Sequence, residues 1–246
     1  MVKPLDGMGR FEELTAKIGA ILGQPTFELR KKAVVVMCAD NGVVKEGISQ
    51  SGQEVTKAVA AMLGKNQSAV GRMAASIGAD VIPVDIGMNC KEKIEGVLDR
   101  KTAYGTRNFM EEPAMTETEL LAAIQTGIDM AAYCKERGYS MIATGEMGIG
   151  NTTTSSAVAA ALTGCSVREI VGRGAGLSDA GLKRKRQIIT EALSRYQFDR
   201  EEVLRILQTV GGFDIAGMAG LFLGGAIYRL PVVMDGVISA VAALAS

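Results

Sequence analysis

The 246 residues include no histidine and no tryptophan. Without histidine, Ser-His and Cys-His nucleophilic machinery, imidazole proton shuttles and most zinc sites are excluded together. Acid–base chemistry must then fall to carboxylates, lysine, tyrosine or cysteine. Cysteine is scarce as well. Cys38, Cys90, Cys134 and Cys165 are widely spaced with no C-x-x-C pair, which reads as buried reduced thiols in a cytoplasmic protein. Neither sign of charge is in excess, with 27 Lys+Arg against 27 Asp+Glu. That balance removes the electrostatic argument for nucleic acid or an anionic membrane as partner. The run Lys183-Arg184-Lys185-Arg186 is a short local exception. No apolar stretch reaches membrane-spanning length, and the Met-Val-Lys-Pro-Leu-Asp-Gly start has no signal-peptide core.

What is present is apolar residue in patterned runs, 48% of the chain. Ala33–Cys38, Asp80–Ile86, Tyr139–Thr144 and Pro231–Met234 read as buried strands, each ending at a turn or glycine cluster. Helical spacing predicts helices over Glu54 to Ile77, Ser155 to Leu162, Ser178 to Tyr196, Asp199 to Leu207 and Phe213 to Tyr228. Another runs from Thr116 to Arg137, where Thr116-x-x-Glu119 suits a capping box. Apolar strands alternating with helices imply an α/β fold, a doubly wound, mostly parallel sheet flanked by helices. Residues 31–246 would form this domain. Residues 1–30, with a helix at about Arg10 to Leu22, would form a small helical satellite region.

In such sheets ligands bind at loops beyond the C-terminal strand ends. Those loops are Asp40 to Gly47, Gly145 to Asn151, Gly172 to Ser178 and Asp235 onward. Thr144-Gly-Glu-Met-Gly-Ile-Gly-Asn-Thr-Thr-Thr154 carries the strongest signal. Its glycines let the backbone approach an anion, and the following helix offers free N–H groups. Its spacing is G-x-x-G-x-G, not the G-x-G-x-x-G of dinucleotide folds. No acidic residue stands in the ribose position either, which argues against a NAD-type oxidoreductase. Glu146 in this loop reads either as a solvated or capping carboxylate or as one held beside a positively charged ribosyl centre. Val171-Gly-Arg-Gly-Ala-Gly-Leu177, followed by the basic run, could close on a phosphate from the other side. Any single member of that run reads equally as a solvated helix face.

Five blocks occur in order: Met37-Cys-Ala-Asp-Asn-Gly-Val43, Thr144 to Thr153, Val171 to Leu177, Val210-Gly-Gly-Phe-Asp-Ile-Ala-Gly-Met218 and Met234-Asp-Gly236. Together they resemble the nicotinate-nucleotide:dimethylbenzimidazole phosphoribosyltransferases of cobalamin lower-ligand synthesis. Lys3-Pro-Leu-Asp-Gly-Met-Gly-Arg10 resembles that family's opening too. The resemblance implies phosphoribosyl transfer from nicotinate mononucleotide to 5,6-dimethylbenzimidazole, giving α-ribazole 5′-phosphate and nicotinate. It implies no cofactor, no metal and a homodimer. Glu146 aligns with an active-site glutamate. Gly145, Gly148, Asn151, Thr152, Gly174 and Lys185 align with the substrate and phosphate site, and Ser51 and Met147 with the azole pocket. Asp40, Asp214 and Asp235 fall in strand-end motifs, as further substrate contacts.

Two departures stand out. The family's Ala-Asp-His-Gly is Ala39-Asp40-Asn41-Gly42 here, although Asn41 still donates and accepts hydrogen bonds. The resemblance also implies a longer protein, whose base is a glutamate in a Gly-Glu-Gly motif beyond Asp-Gly-x-x-Ser. The sequence in hand ends at Leu244-Ala-Ser246, so the expectation is a chain trimmed at both ends that binds substrate better than it turns it over. The alternatives are a non-catalytic nucleotide- or azole-binding relative, or one part of a split enzyme.

Overall fold

β-Branched, apolar segments form the strands β1 (Lys32–Ala39), β2 (Ala79–Gly87) and β4 (Met141–Met147), with short β3 (Leu98–Asp99) and β5 (Val232–Val233) at the edges. The computed structural model describes Pro4 and residues 7–246. Lys3, Leu5 and Asp6 of the opening motif lie outside the described residues. The sheet order is β3-β2-β1-β4-β5, and every pairing is parallel. Strand β3 has no counterpart in the sequence reading, because two residues are too few to show a period.

Central β1 alternates its side chains between two cores, as the period of a strand requires. Ala33, Val35, Met37 and Ala39 join the main core beneath α9 (Phe213–Ile227) and α4 (Glu117–Glu136). Val36 and Cys38 face a smaller core with Ala60 and Leu63 of α2 (Glu54–Gly64). Helices α4 and α9 cross with their backbones in contact. A Cβ added at Gly127 would clash with the Gly217 carbonyl, and one at Gly220 with the Ile124 carbonyl. Glycine is required there by space rather than by torsion. The capping box at Thr116 forms as expected: the Glu119 N–H donates to Thr116 Oγ1 (3.2 Å) and the Thr116 N–H to Glu119 Oε2 (2.7 Å).

Three helix boundaries differ from the sequence reading. The helix expected over Glu54 to Ile77 is two, α2 and α3 (Ala69–Ser76). The break follows Gly64, which packs on the Gly96 backbone, and passes through Asn66 at φ 54°; Ser68 then caps α3 by accepting from the Gly71 N–H at 3.1 Å. Helix α5 (Asn151–Thr163) starts four residues before Ser155, since Gly150, at φ 94°, already turns the chain into it. Helix α8 (Val203–Val210) starts later than Asp199, whose carboxylate instead accepts from the Glu201 N–H. The basic run lies on α7 (Asp179–Tyr196), preceded by the short α6 (Val167–Ile170), and the chain ends in α10 (Val237–Leu244). Three cysteines are buried thiols as expected, but Cys165 is exposed, just past the end of α5. Helix α1 (Arg10–Leu22) buries none of its residues. Among the described residues no helix is long and apolar enough to cross a membrane.

Candidate functional site

The strand order reverses between β1 and β4, because β1 leads outward to β2 and β3 while β4 returns to its other side. A crevice opens outside the carboxyl ends of strands at such a point. Here β1 runs out at Asp40-Asn41 and β4 at Glu146-Met147. Glu146 is paired in register with Met37, so it belongs to the strand and not, as the sequence suggested, to the glycine loop. Gly145 masked this: it sits in the strand against the Val34 and Val36 side chains. The consequence is a carboxylate on a rigid element.

One amide joins two acids. The Nδ2 of Asn151, the first residue of α5, donates to Glu146 Oε2 and, at 2.9 Å, to Asp214 Oδ2. Asp214, in the first turn of α9, is wholly buried, and its Oδ1 accepts from the Ile215 N–H at 3.0 Å. Burial pushes its carboxyl up to about 7; the Asn151 bond opposes this and the Glu146 charge adds to it. Burial likewise raises Glu146, against the Asn151 bond, with Asp235 adding repulsion. Gly148 is packed so that a Cβ would stand 2.5 Å from the Ala39 carbonyl and 3.0 Å from Asp214 Oδ2.

A cation on α7 is bonded to the residue that follows Asn151. Lys185 is 1% exposed, and its Nζ donates to Thr152 Oγ1 at 2.8 Å. Burial lowers it to about 8. The remaining members of the run keep to the surface: Lys183 and Arg184 are exposed and Arg186 is half-buried. Gly174, at φ 55°, lies over Thr152 and Lys185. Lys185, Thr152, Ser155, Ser156 and Gly174 line a cavity of about 180 Å³.

Thr152 also lines a neighbouring pocket of about 270 Å³ with Glu146, Met147, Gly148, Asn151, Ser51 and Arg173. Glu146 and Met147 continue into a groove of about 460 Å³, walled by Val34, Val36, Val59, Leu63 and Val70, with Gly145 and Asp235 at its border. Three compartments therefore follow one another, cationic, acidic and apolar. A separate groove of about 640 Å³ is lined wholly by residues between Met8 and Phe27 and carries none of these groups.

Two predicted site residues, Asp40 and Asp214, line none of the three compartments. Asp214 reaches the site through Asn151, whereas Asp40 Oδ2 accepts from the Asn89 N–H at 2.8 Å, and burial raises its carboxyl. Ser155, Ser156, Arg173 and Gln50 line the cavities without having been singled out. A signal existed for the serines: Asn151 through Ser156 is an unbroken polar run at the start of a buried helix. Among the described residues no group of three or more His, Cys, Asp or Glu is placed to hold a metal ion.

A family model described as phosphoribosyltransferase matches residues 1–246. The chain belongs to this phosphoribosyltransferase family. It is 46% identical over 244 residues to the nicotinate-nucleotide–dimethylbenzimidazole phosphoribosyltransferase of Acetivibrio thermocellus, a match spanning 99% of this chain and 70% of the relative. To the enzyme of the same name from Clostridium acetobutylicum it is 43% identical, over 99% of this chain and 69% of the relative. The crystal structure of CobT from Thermus thermophilus superposes with a TM-score of 0.94 at 36% identity, covering 100% of this chain and 74% of that one. The doubly wound α/β fold of this phosphoribosyltransferase is thus shared with a solved structure.

Proposed function

We propose that the chain transfers the 5-phosphoribosyl group of nicotinate mononucleotide to 5,6-dimethylbenzimidazole. The observation that carries the reading is the succession of compartments. A phosphate sits in the cavity with Lys185, Gly174 and the start of α5, where a buried ammonium and the positive end of the helix dipole favour an anion. The ribose lies beside Glu146, Asn151 and Thr152. The azole enters the apolar groove between α2 and β4, bounded by Met147 and Asp235.

The chemistry follows from charge. Nicotinate leaves when the C1′–N bond breaks and its electron pair neutralises the pyridinium nitrogen. The unprotonated ring nitrogen of the azole forms the new C1′–N bond from the opposite face, and the proton on the other ring nitrogen passes to a carboxylate. In the groove the carboxylates are Glu146 and Asp235. Glu146, fixed on a strand, faces the positive charge that develops on the ribosyl centre, and fixed charge of this kind is worth the most where water is excluded. Arg173 and Ser51 close the outer side of the ribose pocket.

The same reading carries the homodimer and the cytoplasmic address. Exposed apolar residues such as Ile227 (61%), Val237 (72%) and Phe11 (69%) support an association surface. The test is nicotinate release from nicotinate mononucleotide plus dimethylbenzimidazole, with the benzimidazole product identified. Wild type should form α-ribazole 5′-phosphate, and Glu146→Gln should lower kcat by about 100-fold with little change in nucleotide affinity. Equal turnover in the variant, or a wild type that does not bind the nucleotide, would overturn it.

A further inference from the structure

The side chain of Asn41 is wholly buried, and its Oδ1 has no hydrogen-bond partner. A buried acceptor left empty costs about 1–3 kcal/mol, so a neighbouring group is expected to carry a proton for it. The orientation of the amide is not free to reverse. Its Nδ2 donates to the Ile149 carbonyl at 3.4 Å, and a flip would set two oxygens face to face.

The group facing that oxygen is Asp214. A Cβ added at Gly212 would lie 2.5 Å from Asn41 Oδ1 and 2.6 Å from Asp214 Oδ1. The two oxygens thus stand against the same glycine, no more than about 5 Å apart. Two oxygens so placed repel unless one of them carries hydrogen. The other Asp214 oxygen already accepts from Asn151, whose second N–H holds Glu146.

We propose that Asp214 is a positioning residue that works as the neutral acid, giving its proton to Asn41 Oδ1, directly or through one water, while its other oxygen orients the Asn151 amide that holds Glu146. This rests on the reading of Glu146 as the carboxylate at the ribosyl centre. The pair of acids then carries a single negative charge, and that charge resides on Glu146, where the reaction needs it. Such sharing is the usual state of two carboxylates in one site with no cation between them.

Among the described residues no salt bridge reaches Asp214; the Asn151 amide and the backbone N–H groups of Asp214 and Ile215 favour its anion, and burial outweighs them. Glu146 on β4 acts on Asp214 by repulsion. The Cys38 thiol lies on the other face of β1, and its own ionisation is suppressed by burial first and by Asp85 and Asp214 after that. Helix α9 meets β2 through Ile86, α4 through Ile124 and α10 through Ser239, none of them charged. Burial with Glu146 nearby keeps the Asp214 proton up to about pH 7. Above that, Asp214 ionises against both Asn41 Oδ1 and Glu146, and its carboxylate competes with Glu146 for the Asn151 amide.

The pH profile reads this directly. A group titrating at about 7 leaves roughly one thirtieth neutral at pH 8.5. Wild-type kcat should therefore fall by about 10- to 30-fold between pH 6 and pH 8.5. In Asp214→Asn the new amide donates to Asn41 and accepts from Asn151 at every pH, so the fall should shrink to less than about twofold. A folded Asp214→Asn protein that keeps the full alkaline fall, or that has lost more than about 100-fold at pH 6, would overturn the proposal.

A second measurement is independent of turnover. Infrared difference spectroscopy of wild type across pH 5 to 9 should show a protonated-carboxyl band that disappears with a midpoint near 7. The band should be absent in Asp214→Asn. In Asn41→Ala, which removes the acceptor, its midpoint should move down by about one pH unit. No such band in wild type at pH 5 to 6 means that Asp214 is an anion and the proposal is wrong. A band that behaves as described in a protein that transfers no phosphoribosyl group would leave the proton on Asp214 and refute the proposed function instead.

Discussion

Lys185→Met should make the unliganded protein more stable and leave it unable to hold the nucleotide phosphate. The ammonium is buried with a single neutral acceptor, Thr152 Oγ1, and no salt bridge reaches it among the described residues. Burial carries its pKa from 10.5 down to about 8. At about 1.4 kcal/mol per unit, the charged form is disfavoured by about 3 kcal/mol, taken as an upper bound because water reaches the neighbouring cavity. Methionine fills nearly the same volume without a charge to desolvate. The expected gain at pH 7 is about 1–3 kcal/mol, or about 2–10 °C in Tm for a chain of this size.

The dependence on pH has a definite sign. The folded-state pKa lies below the unfolded one, so between about 8 and 10.5 the unfolded chain binds more protons. Stability of wild type relative to the variant therefore rises through that window, and the full penalty is present below pH 8. Calorimetry of both proteins at pH 7 and at pH 10, with and without inorganic phosphate, tests the argument. The Tm gap should narrow at pH 10, and phosphate should raise the Tm of wild type alone. A Lys185→Met protein less stable than wild type at pH 7, or a gap that does not change with pH, would refute the assignment of an uncompensated buried cation.

Three other substitutions test the scaffold. Gly127→Ala forces a methyl group onto the Gly217 carbonyl and the Leu221 N–H; it should cost about 3 kcal/mol or prevent folding, as read from a urea midpoint. Thr116→Ala removes the cap of α4 and should cost about 1 kcal/mol by the same measurement, with turnover unaltered. Lys101→Met strands Asp85, whose side chain is 9% exposed and paired with Lys101 Nζ at 2.6 Å. A loss of about 3 kcal/mol is expected, and restoring a neutral partner through Asp85→Asn should recover part of it.

The main strands were legible because their runs are short, apolar and closed by turn residues. The helix α4 was legible because Thr116 and Glu119 satisfy each other's backbone. Gly145 and Asn66 misled for opposite reasons. A glycine before Glu146 looked like the end of β4, but packing against Val34 and Val36 holds it in the sheet. Nothing in the apolar spacing of Glu54 to Ile77 showed that Asn66 adopts a positive φ and breaks the helix, because that turn is imposed by Gly64 lying on Gly96. In the site, the positions came from motif order, whereas the partners did not. That Asn151 serves two acids, that Asp214 faces Asn41, and that Lys185 alone of four basic neighbours turns inward are facts of tertiary packing. A helix turns about 100° per residue, which points Lys185 away from Lys183 and Arg186, and the packing of α7 against α5 decides which face is buried.

The glycine-rich blocks acquire a common explanation from this packing. Gly148 leaves room beside Asp214 Oδ2, Gly212 between Asn41 Oδ1 and Asp214 Oδ1, and Gly174 over Thr152 and Lys185. At each of these places a side chain would occupy the space that a buried polar group needs for its partner. The torsional freedom of glycine matters at Gly150 and Gly174, where φ is positive. At Gly148 and Gly212 no positive φ occurs, so absence of volume is the requirement. Two kinds of glycine thus serve one end: they bring uncompensated charge of both signs, Lys185 on one side and the Glu146–Asp214 pair on the other, to the mouth of a single crevice. Neither charge has a counterion within the described protein. A ligand with a phosphate at one end and a cationic ring nitrogen at the other supplies both, which is why the apo protein carries a burden of electrostatic instability that substrate binding relieves.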